Sequence, residues 1–172
     1  MTPEITSLAE KVLERARSAG LTIATAESCT GGLVAAALTS VAGSSDVFDR
    51  GFVTYSNEAK AQMLGVDPAL IAAHGAVSRE VAIAMAACAL RQSRAQVSIA
   101  VTGIAGPGGG SAEKPVGLVH LAAAKALSQQ GEELNFSAIH HEERFGDIGR
   151  AQVRAKSVET ALHLLIRAVS LD

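Results

Sequence analysis

Aromatic and basic side chains are scarce in this sequence. It contains no tryptophan, one tyrosine and four phenylalanines, and its formal net charge is −2 at pH 7. Proteins that bind nucleic acid generally carry clustered Lys and Arg residues, often beside aromatic rings on which bases stack. No such basic run occurs here, so the sequence predicts no nucleic-acid partner. Because 48% of the residues are hydrophobic and only 3% are aromatic, we expect an interior built from Ala, Val, Leu and Ile.

Long apolar segments and paired metal ligands are also missing. The longest apolar stretches, such as 117–124, are too short to cross a membrane, and the N-terminus has the pattern of an amphipathic helix instead of a signal peptide. We therefore expect a cytoplasmic protein without membrane contact. Cys29 and Cys88 match no Cys-x-x-Cys pattern, and the five His residues form no His-Glu-x-x-His motif. The sequence predicts neither a disulfide nor a metal site.

Helix-like and strand-like segments alternate along the 172 residues, and no linker or repeat divides the predicted single domain 1–172. The predicted strands are Leu21–Ala26, Gly51–Tyr55, 96–103, 116–124 and Leu134–His141. The predicted helices are 3–20, 31–41, a short one capped by Ser56 or Asn57, another from Asp67-Pro68, one capped by Ser78, and Arg150–Val169. This alternation predicts an α/β fold, a three-layer α/β/α sandwich. The last two strands are close enough for a hairpin, so the mainly parallel sheet should be mixed.

The stretch TIATAESCTGGLVAAAL, residues 22–38, reads as a strand, a polar loop with two glycines, and a helix. Such a loop lies at the carboxyl edge of the sheet, where open α/β folds bind ligands. Ser28 could be a nucleophile there. The amides of Thr30, Gly31 and Gly32 could hold a phosphate or an oxyanion at the helix N-terminus. The pattern fits neither a Walker loop nor a serine-hydrolase elbow, and a simple helix cap by Ser28 or Thr30 explains the same residues.

A second candidate lies in VTYSNEAK, residues 53–60. Lys60 falls in the first turn of a predicted helix, where the helix dipole and partial burial would both lower its pKa, as a general base requires. A lysine base could activate a serine, and Tyr55 could relay the proton or orient the pair. A solvated lysine and a half-buried tyrosine remain the alternative.

The third candidate is the glycine-rich stretch VTGIAGPGGGSAEKPVG, residues 101–117. Its backbone amides could approach a ligand closely, and Thr102 ends the preceding strand at the same sheet edge. A mobile surface turn has the same composition. Arg150 opens the last helix and could bind a phosphate with both guanidinium nitrogens, or simply be exposed.

These segments occur together and in order in one known family. TAESCTGG, YSNEAK, HGAVS, TGIAGPGGG followed by EKPVG, and the terminal GRAQVR resemble the CinA C-terminal domain family, the nicotinamide-nucleotide amidohydrolases also called NMN deamidases. The resemblance extends from about Glu10 to Leu165. Many relatives read Gly-Asp-Arg before the last helix, whereas this chain reads GDIGR, with two inserted residues.

The resemblance implies hydrolysis of the carboxamide of nicotinamide mononucleotide (NMN) to nicotinic acid mononucleotide and ammonia, in pyridine-nucleotide recycling. It implies no metal or other cofactor. The family's catalytic serine, tyrosine and lysine match Ser28, Tyr55 and Lys60. We expect Ser28 to attack the amide carbon while neutral Lys60 takes its proton, directly or through Tyr55.

The remaining assignments concern substrate binding and assembly. We expect the amides from Thr30 to Gly32 to stabilise the oxyanion, Arg150 with the Thr102-Gly103 turn to bind the phosphate, and Asn57 to bind the ribose or the amide. The family resemblance also suggests a homodimer.

Two alternatives stay open at this point. Cys29 could be the nucleophile of a thiol hydrolase, because a cysteine at a helix N-terminus can have a lowered pKa. The chain could instead be a catalytically silent module that binds a nucleotide or a partner protein, as the competence-related history of the family would suggest.

Overall fold

The computed structural model describes residues 1–130 and 133–171. Gly131, Glu132 and Asp172, which belong to the predicted domain 1–172, lie outside the described residues. The strands are β1 Ile23–Glu27, β2 Phe48–Val53, β3 Val97–Gly103, β4 Leu118–Gln130 and β5 Glu133–Arg144. The α-helices are α1 Pro3–Ser18, α2 Leu33–Thr39, α3 Asn57–Ala59, α4 Pro68–His74, α5 Arg79–Arg91 and α6 Arg150–Val169. A 3₁₀ turn covers Ser44–Asp46, and a π-helix covers Lys60–Leu64.

The strands form one five-stranded sheet in the order β2-β1-β3-β4-β5. β1 pairs in parallel with β2 and with β3, whereas β4 pairs antiparallel with both β3 and β5. Because β5 reverses direction again, β4 alone runs against the other strands. The mixed, mainly parallel sheet and the hairpin of the last two strands are therefore confirmed.

Side chains of the central strands alternate between two cores, one on each face of the sheet. Val97, Ile99 and Val101 of β3 pack in the core formed with α1, α2 and α6. Ala100 packs in the core formed with α4, α5 and the π-helix, and Ser98 on the same face donates its hydroxyl to the Ala86 carbonyl in α5. This alternation follows from the two-residue period of a strand. Helices cover both faces, which gives the predicted three layers.

Backbone conformation moves two element boundaries from their predicted places. The helix after β1 begins at Leu33, not at Gly31, because Gly31 and Gly32 have φ angles of 59° and 95°, outside the helical region. The strand predicted at Gly51–Tyr55 runs from Phe48 to Val53 instead. Pairing with β1 extends it backwards, since Phe48 is already in register with Ile23.

The short helix predicted after Ser56 has an unusual second half. Ser56 caps α3 by accepting the Ala59 amide at 3.0 Å, as predicted. The helix then continues as the π-helix from Lys60 to Leu64 and ends at Gly65, whose φ is 81°. Short π-helical segments are rare and often occur at functional sites. This one contains a candidate catalytic lysine.

Among the described residues, no helix has the length and hydrophobicity needed to span a membrane. The two longest, α1 and α6, each bury one face and expose the other: α6 packs on the sheet, and α1 packs on α6 and α2. Such amphipathic helices are typical of the outer layers of an α/β sandwich.

Deleting a buried side chain of α6 tests this packing. Leu162 is fully buried between α6 and the sheet, so Leu162→Ala should lower the free energy of unfolding by about 2–5 kcal/mol. Urea unfolding followed by circular dichroism measures the loss. The matched control is Lys156→Ala, exposed on the same helix, which should change stability by less than about 0.5 kcal/mol. A loss below about 1 kcal/mol for Leu162→Ala would contradict the packing.

Candidate active site

Three parallel strands end at the same edge of the sheet, and the candidate residues follow them directly. Ser28 comes after β1, Tyr55 is two residues past the end of β2, and Gly103 is the last residue of β3. Backbone hydrogen bonds continue the pairing beyond the strands: the Ser28 amide donates to Val101, and the Thr54 amide donates to Glu27. Sheet pairing therefore fixes where each loop starts.

Ser28 and Lys60 are in direct contact. The Nζ atom of Lys60 lies 3.1 Å from Oγ of Ser28 and 3.0 Å from the carbonyl oxygen of Thr54. Lys60 is 1% exposed and Ser28 is 8% exposed. The π-helix thus carries the lysine to the sheet edge, where the sequence-predicted pair is brought together.

The environment of Lys60 favours a neutral amine. Burial lowers the pKa of Lys60 below its ordinary value, and none of the described ion pairs includes it. A lysine without a carboxylate partner pays the full desolvation cost of its charge, so the proton is held less tightly. The expected direction of the shift is confirmed, although burial and not the helix dipole is its main cause. Such an amine can accept a proton from a serine hydroxyl.

Glu27 caps α2, which neither Ser28 nor Thr30 does. Its fully buried carboxylate accepts the amide of Gly32 at 3.1 Å, that of Val34 at 3.0 Å and that of Ala35 at 2.8 Å. The cap predicted from Ser28 or Thr30 is therefore wrong, because a residue on the strand occupies the helix N-terminus. A carboxylate is well suited to this position, where the helix dipole is positive.

The same contacts correct the predicted oxyanion site. The Gly31 amide donates to the Ser28 carbonyl, and the Gly32 amide donates to Glu27, so these two amides are not available to an oxyanion in this structure. Within residues 1–130 and 133–171, the amides of Cys29 and Thr30 donate to no hydrogen-bond partner outside their own residue. Of the three predicted donors, only the amide of Thr30 therefore remains available, together with that of Cys29.

Tyr55 and Arg150 form the rim of the site. Tyr55 is 59% exposed, and its hydroxyl accepts from Arg150 at 2.5 Å. The second terminal nitrogen of Arg150 donates to the Gly106 carbonyl at 3.0 Å. In the described hydrogen bonds Tyr55 contacts neither Ser28 nor Lys60. The geometry favours direct proton transfer between Ser28 and Lys60, and the relay through Tyr55 stays a prediction. Arg150 lies where it was predicted, at the edge of the site.

A pocket of about 240 Å³ opens beside Ser28. Its walls are Ser28, Cys29, Tyr55, Arg150 and residues of the glycine-rich loop between 103 and 109. Gly103 has no room for a side chain, because a Cβ would lie 2.8 Å from the Leu118 carbonyl oxygen. Four of the six loop residues that line the pocket are glycines, so backbone forms much of this wall.

Two predicted binding residues lie elsewhere. Thr102 is 1% exposed, and its hydroxyl donates to the Ala76 carbonyl at 2.8 Å on the α5 side of the sheet. Asn57 lines a different pocket, between α3 and α4, together with Ala61 and Pro68. The assignments of Thr102 and Asn57 as substrate contacts are therefore corrected: one side chain anchors a loop, and the other faces away from Ser28.

The family model of the CinA C-terminal domain matches residues 5–169. The chain belongs to this family. The crystal structure of the competence/damage inducible protein CihA from Agrobacterium tumefaciens has the same fold, with a TM-score of 0.91 and 54% identity over 98% of this chain and 97% of that one.

Curated relatives of this CinA domain differ in length. The nicotinamide-nucleotide amidohydrolase PncC of Shigella flexneri is 48% identical over 91% of this chain and 92% of its own. The CinA-like protein of Syntrophobacter fumaroxidans is 48% identical over 95% of this chain, which spans only 36% of that longer protein.

Cys29, the alternative nucleophile, is poorly placed for that role. It is 6% exposed, and burial raises the pKa of its thiol to about 12. A thiol that stays protonated is a weak nucleophile. In the CinA domain Cys29 lines the pocket next to Ser28 but lacks the lowered pKa that a helix N-terminus was expected to give.

Two residues at the site were not predicted. Glu27 stands in the loop motif, but it ends β1 and lies five residues before the N-cap Gly32, so no local capping pattern indicates its role. Arg154 of α6 donates to the Thr30 carbonyl at 3.0 Å. Its spacing of four from Arg150 places both on one face of α6.

Within the described ranges 1–130 and 133–171, no three metal-ligating side chains cluster in a way that could hold a metal ion.

Lys60→Met tests the lowered pKa through stability. A lysine whose pKa falls on folding is protonated in the unfolded chain at pH values where the folded protein holds it neutral, so stability rises with pH in that window. As the pH rises from the lowered pKa of Lys60 toward the ordinary lysine value of 10.5, the unmutated domain should gain stability relative to Lys60→Met, with a slope of at most about 1.4 kcal/mol per pH unit. Urea unfolding at several pH values measures it.

The matched control for this experiment is Lys11→Met, which changes an exposed lysine of α1. It should show no such pH-dependent difference, since an exposed lysine titrates alike in both states. A stability difference for Lys60→Met that is the same at every pH would show that the pKa of Lys60 is ordinary.

Proposed function

We propose that this CinA domain is an amidase that hydrolyses the carboxamide of NMN to nicotinic acid mononucleotide and ammonia. The observation that carries the proposal is the buried Lys60 amine, 3.1 Å from the Ser28 hydroxyl at the wall of a pocket. Relatives that match most of this chain are named for nicotinamide-nucleotide amidohydrolase activity. A serine paired with a neutral base is the arrangement that acyl transfer requires.

In the first step, Ser28 Oγ forms a bond to the carboxamide carbon and Lys60 Nζ takes the hydroxyl proton. The direct contact in the structure makes a relay group unnecessary. The Thr54 carbonyl oxygen already accepts a hydrogen bond from Lys60 Nζ. It can therefore stabilise the ammonium that forms when Lys60 takes the proton. The π electrons of the carbonyl move to its oxygen, which becomes negatively charged.

The oxyanion needs hydrogen-bond donors that are fixed before the reaction. We assign this role to the amides of Cys29 and Thr30, which follow the nucleophile directly and have no other described acceptor outside their own residue. Gly31 and Gly32 support them indirectly, because their positive φ angles fold the loop. Glu27 keeps the next amides of α2 occupied.

Collapse of the oxyanion breaks the bond between the carbon and the amide nitrogen. The protonated Lys60 returns its proton to that nitrogen, and ammonia leaves. Water then attacks the acyl ester, with neutral Lys60 as base, and the Ser28 hydroxyl is restored as nicotinic acid mononucleotide departs. Every proton therefore passes through Lys60 Nζ, which exchanges it in turn with Ser28, the leaving nitrogen and the attacking water.

The rest of the substrate is proposed to lie along the glycine-rich loop. Arg150 is the cation at the rim, and its guanidinium can bind the phosphate with two nitrogens after releasing Tyr55 or Gly106. Gly103 and the loop that follows provide backbone along the wall. Tyr55 lies on the outer side of the pocket and can pack on the substrate.

The wider setting is likewise a proposal. The reaction would return the pyridine nucleotide of NMN to recycling, and its substrate is a small molecule, with no nucleic acid involved. The formal charge of −2 is in keeping with the last point. We further propose a homodimer, to be checked by sedimentation of the purified protein.

The decisive experiment is ammonia release from NMN in the presence of EDTA. The unmutated protein should turn over, and Ser28→Ala and Lys60→Ala should each lower kcat roughly 10⁴-fold or more, because nucleophile and base act as a unit. Lys11→Ala, an exposed lysine, is the matched control and should keep full activity. Binding of NMN without ammonia release would refute the proposal and leave a silent nucleotide-binding module.

Cys29→Ala tests whether the nucleophile is the Ser28 hydroxyl or the Cys29 thiol. The variant should keep kcat within about threefold of the unmutated protein, because the Cys29 side chain is protonated and only its amide is used. Ammonia release measures this, and Ser28→Ala beside it gives the background. A loss of activity in Cys29→Ala comparable to that in Ser28→Ala would identify the Cys29 thiol as the nucleophile.

A further inference from the structure

Two arginines of α6 reach the Ser28 edge of the sheet in different ways. Arg150 is exposed, lines the pocket and contacts the exposed Tyr55 hydroxyl. Arg154, one turn later, is half-buried and is not part of the pocket wall. Its described hydrogen bond goes to the carbonyl oxygen of Thr30 at 3.0 Å. The two side chains are therefore suited to different tasks.

We propose that Arg154 is a positioning residue that fixes the Thr30 carbonyl and thereby the loop carrying Ser28. The proposal rests on the amidase function, because it gives Ser28 the role of nucleophile. It adds a residue that touches neither Ser28 nor the pocket, and it assigns a purpose to the contact between α6 and the loop.

The loop from Ser28 to Gly31 is fixed at both ends by other contacts. The Ser28 amide donates to Val101 at 2.9 Å, and the Gly31 amide donates back to the Ser28 carbonyl at 3.0 Å. The Thr30 carbonyl accepts the Leu33 amide at 3.2 Å. Arg154 is the residue of α6 that contacts this segment through a described side-chain hydrogen bond. It therefore ties the middle of the loop to a separate layer of the sandwich.

Gly31 lies directly beside the Arg154 guanidinium. A Cβ atom on Gly31 would be in van der Waals contact with a terminal nitrogen of Arg154, at 3.4 Å. The backbone conformation, with a φ of 59°, is what favours glycine at this position. The glycine therefore allows the turn after Thr30 that brings its carbonyl to Arg154.

The surroundings of Arg154 are poor for a purely structural arginine. Its Nε atom is buried without a hydrogen-bond partner among the described residues. None of the described ion pairs includes it. A half-buried guanidinium with an unpaired donor and no carboxylate is unfavourable for stability. Such local violations are expected where function requires them.

Its position also gives the loop a nearby positive charge. Arg154 acts on Cys29 in the direction of a lower thiol pKa, although burial outweighs it. The charge of Arg154 therefore reaches the residue next to Ser28. In the proposed reaction, this charge lies near the amides of Cys29 and Thr30, where the oxyanion forms. Fixing the Thr30 carbonyl also fixes the peptide plane between Thr30 and Gly31.

The test measures the reactivity of Ser28 in two independent ways. A fluorophosphonate probe forms a P–O bond with Ser28 Oγ as fluoride leaves and Lys60 takes the proton, so its labelling rate reports on the nucleophile without NMN. Steady-state ammonia release from NMN gives kcat and KM. Both are measured for Arg154→Ala, Arg154→Gln and Arg154→Lys, with Lys156→Ala on the same helix as control.

We expect Arg154→Ala to lower both the labelling rate and kcat about 10- to 100-fold, because a nucleophile displaced by a fraction of an ångström loses that much. KM should change less than about threefold. Arg154→Lys keeps a cation that can donate to Thr30, so it should fall between Arg154→Ala and the unmutated protein. Arg150→Ala should show the reverse pattern, with KM raised more than kcat is lowered.

Three results would overturn the proposal. The first is a labelling rate and a kcat that stay within about twofold of the unmutated protein in all three Arg154 variants. The second is a rise in KM with no change in kcat or in the labelling rate. The third is a loss of labelling that follows the fall in melting temperature in Arg154→Gln and Arg154→Lys alike. Failure of the amidase proposal looks different: the unmutated protein would release no ammonia from NMN. Slower labelling in the Arg154 variants would still support positioning of Ser28 in that case.

Discussion

Removal of one lysine amine from water is the constraint around which the site is built. Lys60 is 1% exposed and contacts only an uncharged hydroxyl and a carbonyl in the described hydrogen bonds. Burial of an ammonium is costly, so the surrounding packing must supply the free energy that keeps it there. The core between α5, α4 and the π-helix does this, since Leu64 at the end of the π-helix and Val66 just after it are buried there. Packing of this core thus keeps the Lys60 amine buried, and burial lowers its pKa.

The second constraint is the arrangement of backbone amides after β1. A loop that enters a helix normally offers several free amides, and here Glu27 occupies three of them. The carboxylate belongs to the strand, so the helix N-terminus is tied to the sheet and not to its own loop. What remains near Ser28 are the amides of Cys29 and Thr30. The buried Glu27 carboxylate therefore determines which backbone amides of this loop stay free to donate a hydrogen bond to a ligand.

Elements far apart in the sequence meet at this edge because of the sheet order. β1 lies between β2 and β3, which places the loops after all three strands side by side. The first two turns of α6, near the other end of the chain, lie at the same edge and contribute Arg150 and Arg154. Local sequence cannot encode these meetings, since they depend on how the layers pack. The π-helix is a further example, because hydrophobic periodicity predicts a helix there but not its widened turn.

The sequence by itself determined the alternation of elements, the hairpin of β4 and β5, and the position of Ser28 at the carboxyl edge. These follow from apolar periodicity and from glycine and proline punctuation, which act over a few residues. The motif resemblance selected Ser28, Tyr55 and Lys60 as the residues of interest. Only the tertiary structure decided that Lys60 touches Ser28 directly, that Glu27 and not a hydroxyl caps α2, and that Thr102 and Asn57 face away from the pocket. Side-chain direction and burial at these positions depend on contacts between distant segments, and such contacts exist only once the layers have packed.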